Sequence, residues 1–198
     1  MTVDEMNAIL ADTVDTLIMP GAYLAGIKSV REVMKDDGFR RLYGHILLHE
    51  LMPRLDVPKE LLEEGALIFS QKTELSRDAV ITRLANAVTR LRDSVLGYLS
   101  KETPCMLLGC AAAMMLYAGP HDAFDETPAA LENFRGLSPD MPADTLIYAV
   151  FGDRDFWREN ILENDDLCDA LTAKIGDLQI LGVRGAMEKT FREKYTAI

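Results

Sequence analysis

The chain has 198 residues, with 21 Lys plus Arg against 32 Asp plus Glu and a formal charge of −11. Its 48% hydrophobic and 27% charged residues exclude an intrinsically disordered chain. The acidic balance, with no basic run interleaved with aromatics, excludes a phosphate-backbone binder, because nucleic-acid affinity comes mostly from Lys and Arg.

Helix signals follow one another and strand signals are nearly missing. The expected fold class is all-α, a multi-helix bundle forming a single domain over residues 1–198. An N-terminal helix is expected from about Val3 to Leu17, within residues 1–20, and Pro20-Gly21 breaks it. A short piece follows from Ala22 to Gly26. Ser29-x-x-Glu32 is a capping box, in which each side chain satisfies a free backbone N–H, and opens a helix to Lys35. Asp36-Asp37-Gly38 ends that helix. The next runs from Phe39 to Met52 and is stopped by Pro53. Pro58, Pro104 and Pro128 stand where first-turn prolines belong, with Thr103 and Thr127 as N-caps. Further helices are expected from Pro58 to about Ser70 and from Ser76 to about Ser100. The latter carries an apolar stripe of Val80, Leu84, Val88, Leu91, Val95 and Leu99. The segment Pro104 to Ala118 is apolar all round and belongs at the centre. Its uncharged stretch, Thr103 to Pro120, is shorter than the roughly 20 residues that span a bilayer. Residues 119–142 hold four of the eight prolines and form an irregular connection with at most one short helix, Pro128 to Phe134. The last helices run from Ala143 to Phe151, Asn164 to about Leu178, and Gly182 to Tyr195. The acidic N-terminus, Met-Thr-Val-Asp-Glu-Met, carries no targeting pattern. A cytoplasmic protein off the membrane is expected.

Few residues carry chemistry. His45 and His49 are one turn apart and could share a metal. The order His-Ile-Leu-Leu-His-Glu is not His-Glu-x-x-His, however, and no third ligand is evident. A helix contact or surface position is the favoured reading. Cys105, Cys110 and Cys168 lack zinc-knuckle spacing and read as free thiols, Cys105 and Cys110 in the core. No Gly-x-Ser-x-Gly is present, and His121 has no cysteine partner. The acidic pairs Asp36-Asp37, Asp153 with Asp155, and Asp165-Asp166 read as caps and solvated faces, the last beside Asn164 at a helix start. No Gly-x-Gly-x-x-Gly occurs, so this chain holds no dinucleotide and no cofactor is expected in it. Arg83, Asn86 and Arg90 share a polar helix face able to hold a carboxylate or phosphate, although on spacing alone a solvated face is the favoured reading.

Tyr23-Leu-Ala-Gly-Ile-Lys-Ser-Val-Arg-Glu-Val-Met-Lys-Asp, with Phe39-Arg-Arg-Leu and Glu50-Leu-Met-Pro-Arg-Leu, resembles the helical C-terminal domain of the mannitol dehydrogenase family. Its closest branch is the tagaturonate reductases, or altronate oxidoreductases. Leu84-Ala-Asn-Ala-Val-Thr-Arg-Leu-Arg-Asp-Ser-Val-Leu and the apolar segment 107–118 are similar to that branch as well. The resemblance covers roughly residues 20 to 190 and implies a substrate domain that works with an NAD-binding Rossmann domain. It implies a Lys-x-x-x-x-Asn-x-x-His motif falling near Asn7, Asp12 and Asp15, none of the required type. No catalytic residue is therefore expected here. An Asp does not replace a lysine cation beside a developing alkoxide. Asn86 matches the family's Asn or Asp, and Arg90 stands where a lysine is usual. The expected partners are a sugar acid or polyol, a second copy, or a separate Rossmann chain bringing NAD. The chain reads as a binding or assembly module. The alternative is the substrate subunit of a split oxidoreductase.

Overall fold

Two Met-Pro steps that should break helices do not. The computed structural model describes residues 3–27, 30–55, 92–93, 96–119, 136–157 and 160–196. Helix α1, Val3–Thr13, passes into a π turn, Val14–Ile18, and then directly into α2, Met19–Leu24. After the short α3, Val30–Val33, the same succession recurs: α4, Asp37–His45, a π turn, Ile46–Leu51, and α5, Met52–Leu55. The expected stops at Pro20-Gly21 and Pro53 are thus both absent. In each case a Met N–H reaches back five residues, Met19 to the Val14 carbonyl and Met52 to the Leu47 carbonyl. The next residue is the proline. A widened turn relieves the clash between a proline ring and the carbonyl four residues back, and the missing N–H costs no ladder bond there.

Asp36 opens α4. Its carboxylate accepts from the Gly38 and Phe39 N–H groups at 3.0 and 3.2 Å. It also binds Arg184 on the C-terminal helix at 2.6 Å.

A short 3₁₀ turn, Leu96–Tyr98, leads to α6, Pro104–Ala118. This helix is the centre of the bundle, as its uniform apolarity implies. The two π turns, α2, α7 (Ala143–Phe151) and α9 (Asp165–Thr196) all pack on it. Gly109 is the point of closest approach. A Cβ built there would stand 2.5 Å from the Leu17 carbonyl oxygen, so no larger residue fits without moving backbone.

Helix α8, Arg154–Trp157, was not apparent from the residue pattern. It drives Trp157 into the core, where the indole N–H donates to the Val150 carbonyl at 2.6 Å. Asn164 caps α9 by accepting from the Leu167 N–H at 3.1 Å. The expected division of the C-terminus into two helices is met within α9. Gly182 has φ 66 and ψ 174, a conformation open essentially to glycine alone. There the chain folds back on itself. Lys174 reaches Thr190 at 2.9 Å and Glu193 at 3.1 Å, and Lys189 reaches Asp177 at 2.6 Å. Along a straight helix, partners sixteen residues apart would stand about 24 Å from each other.

No strand occurs among the described residues, in keeping with an all-α bundle. None of their helices is long and apolar enough to cross a membrane. The expected helix over 58–70, the expected helix over 76–100 as far as residue 91, the cap at Ser29, Thr127 with Pro128, and the short helix over 128–134 lie outside the described residues. So does most of the apolar stripe, of which Leu99 is described and buried. The expected helix over 76–100 does not run on to Ser100, because Leu96–Tyr98 is a 3₁₀ turn and Leu99 and Ser100 are not helical.

Candidate functional site

The cap of α6 comes from an unexpected place. Thr103 holds the N-cap position, but its hydroxyl turns away, donating to the Ser100 carbonyl and accepting the Ser100 N–H. The first-turn N–H groups are met instead by Glu50, from the second π turn. Its Oε1 accepts from the Cys105 N–H at 3.0 Å and its Oε2 from the Met106 N–H at 2.8 Å. Glu50 is fully buried. A carboxylate suits this place because the helix N-terminus carries unsatisfied donors and positive potential.

The same π turn sets what lies beside Glu50. Residues five apart on an α-helix are rotated by roughly 140° from one another. Bonding i to i+5 brings them back toward one face. Thus His45, the last residue of α4, stands over Glu50, and the ligand atoms of His45, Glu50 and Cys105 all lie within 4.8 Å of one another. All three side chains are buried. The His45 ring meets Phe191 edge-on at 6.0 Å, and the Arg41 guanidinium covers the same Phe191 at 4.1 Å. His49 is exposed, with its ring 4.7 Å from that of His45. The histidine pair therefore does meet, at a helix contact and the surface. The other two members of the group, Glu50 and Cys105, were missed as companions of His45. The available signal was an acid inside the apolar run Ile46 to Leu51, just ahead of Met-Pro.

The other singled-out residues are placed as follows. Cys110 is in the core, and burial pushes its thiol up to about 12. It is no nucleophile at neutral pH. Burial also raises the Tyr43 and Tyr117 hydroxyls above the usual phenol range. Cys168 is half-buried, its thiol against the Ile161 carbonyl. Asp153, Asp155, Asp165 and Asp166 are exposed, and Asp166 binds Lys101 at 2.8 Å. Asp12 is half-buried, and its carbonyl accepts from the Thr16 hydroxyl. Asp15 is 1% exposed, inside the first π turn. Arg83, Asn86, Arg90 and His121 lie outside the described residues.

No family model matches the chain. Curated relatives do. It is 23% identical over 207 residues to the altronate oxidoreductase of Pectobacterium atrosepticum, covering 93% of this chain and 42% of that protein. For the altronate oxidoreductases of Yersinia pestis and Klebsiella pneumoniae the identity is 21% in each case, over 201 and 202 residues. The chain is a relative of the altronate oxidoreductases. It spans less than half the length of these oxidoreductases, 42% in each case.

Proposed function

We propose that this chain corresponds to the helical substrate domain of an NAD-dependent mannitol dehydrogenase or tagaturonate reductase, and acts as a cytoplasmic binding or assembly module that moves no hydride by itself. Similarity to altronate oxidoreductases over 93% of the chain supports the relation. The observation that carries the second half is Asp15. The resemblance gives its position to a catalytic imidazole. Here a carboxylate stands there, 1% exposed, within the π turn that packs on the central helix. A base must come within hydrogen-bond reach of the alcohol proton it removes, and a side chain enclosed by the bundle does not meet a substrate. Asp12, at the position given to the family's Asn, is half-buried one turn earlier.

The ligand of such a module is a sugar acid or polyol, held by Asn86, Arg90 and Arg83. The test is to mix the purified chain with tagaturonate or fructuronate and NADH and follow the loss of NADH. No turnover, with saturable binding of the sugar acid but not of NAD, is the expected result. Turnover by the chain alone overturns the reading. Turnover only after a separate Rossmann polypeptide is added replaces it with the split-enzyme alternative.

A further inference from the structure

We propose that His45, Glu50 and Cys105 form a binding site for one thiophilic divalent cation of the zinc class. This is independent of the functional reading above. The donor set is an imidazole, a carboxylate and a thiol, the three ligand types zinc favours. It is assembled from two distant parts of the chain, α4 with its π turn and the first turn of α6. A tetrahedral zinc with bonds of about 2.0–2.3 Å sets its ligand atoms roughly 3.3–3.8 Å apart. The three donors already lie within 4.8 Å of one another, so side-chain rotation closes the remaining gap.

The charge balance also fits. A divalent ion bound by one carboxylate, one thiolate and one neutral imidazole leaves the site with no net charge, which a buried position requires. Binding releases the Cys105 thiol proton to solvent, and no electron moves. Glu50 keeps its two N–H donors throughout, because each carboxylate oxygen has a second lone pair for the ion. Those N–H bonds fix the carboxylate in the way that outer-shell partners fix metal ligands. His49 is exposed beside His45 and is not one of the three donors.

The experiment uses the full chain, stripped with a chelator and titrated with Co²⁺ and then Zn²⁺. The expected result is one Co²⁺ per chain, with tetrahedral visible bands and a near-ultraviolet thiolate-to-cobalt band, displaced by one equivalent of Zn²⁺. The thiolate band reads Cys ligation in the unaltered protein, so the test does not depend on a variant folding. Cys105→Ser should remove that band, and both it and His45→Gln should weaken binding by at least about tenfold. His49→Ala should keep the band. Absence of a stoichiometric cobalt spectrum overturns the proposal. So does a thiolate band that survives Cys105→Ser, or binding lost with His49→Ala and unchanged in Cys105→Ser.

Discussion

The two π turns are built alike and used differently. Each sits in a longer helix, each precedes Met-Pro, and each buries an acid, Asp15 in one and Glu50 in the other. Each also packs on α6. The first makes its contact through backbone, with Leu17 against Gly109. The second makes its contact through a side chain, with Glu50 closing the helix N-terminus. A widened turn thus lets a helix carry a proline and also aims a residue that an α-turn would leave elsewhere. The cap is a polar contact between distant segments and the glycine contact a steric one, so they should fail differently.

Glu50→Ala is the harshest way to separate them. It strips both first-turn N–H groups of α6 of their acceptor in a buried place. At about 1–3 kcal/mol for each buried group left unsatisfied, the loss should reach roughly 2–6 kcal/mol in urea unfolding. Glu50→Gln retains one carbonyl acceptor and should lose clearly less. Equal losses for the two variants would mean that the space Glu50 fills matters and its oxygens do not. Gly109→Ala should come next, at about 1–3 kcal/mol or more, because the added methyl meets the Leu17 backbone. Gly176→Ala is its control. That glycine lies within α9, and a methyl added there would have nothing within 4 Å, so the change should stabilise by up to about 1 kcal/mol. Gly182→Ala forces a side chain into a conformation nearly reserved for glycine and should cost about 1–3 kcal/mol. It should also loosen the Lys174 and Lys189 contacts across the fold-back, which hydrogen exchange in both arms would read.

Much of this architecture was legible in the residue pattern, for a physical reason. Local features with short sequence reach, such as the uniform apolarity of Pro104 to Ala118 and the Asn164 start, are written in consecutive residues. The break near Gly182 is likewise marked by a single glycine. The prolines misled because the rule that proline ends a helix assumes an α-turn before it. A π turn removes that assumption, and it depends on what the widened turn packs against. The Thr103 cap misled for a related reason. Its hydroxyl closes the preceding turn with Ser100, and the true cap, Glu50, lies 55 residues before the Cys105 N–H that it accepts. For the same reason His45 was paired with His49 at four residues, while the group that it completes needs Glu50 at five and Cys105 from another helix. The sugar-binding candidates Asn86, Arg90 and Arg83 rest on the resemblance and their spacing alone.

The smallest effect concerns a cap of the ordinary kind, and it contrasts with Glu50. Asp36 caps α4 from the residue just before it and is shared with Arg184. The Arg184 bond, opposed by burial and helped by the Phe39 and Gly38 N–H groups, holds its carboxyl below the usual range. A carboxyl depressed in the folded state contributes stability that is complete above its unfolded value of about 3.9 and is lost as pH falls through the lower folded value. Asp36→Ala should therefore cost about 1 kcal/mol at neutral pH, and the gap to the parent chain should narrow in acid, below about pH 4. Urea midpoints measured from pH 7 downward check this. A gap of constant size through the acid range would mean that the Asp36 charge contributes nothing and that the cap acts by shape. Arg184→Gln should cost less than Asp36→Ala does at neutral pH, because the Arg184 side chain is mostly in solvent, 58% exposed, and exposed ion pairs contribute little.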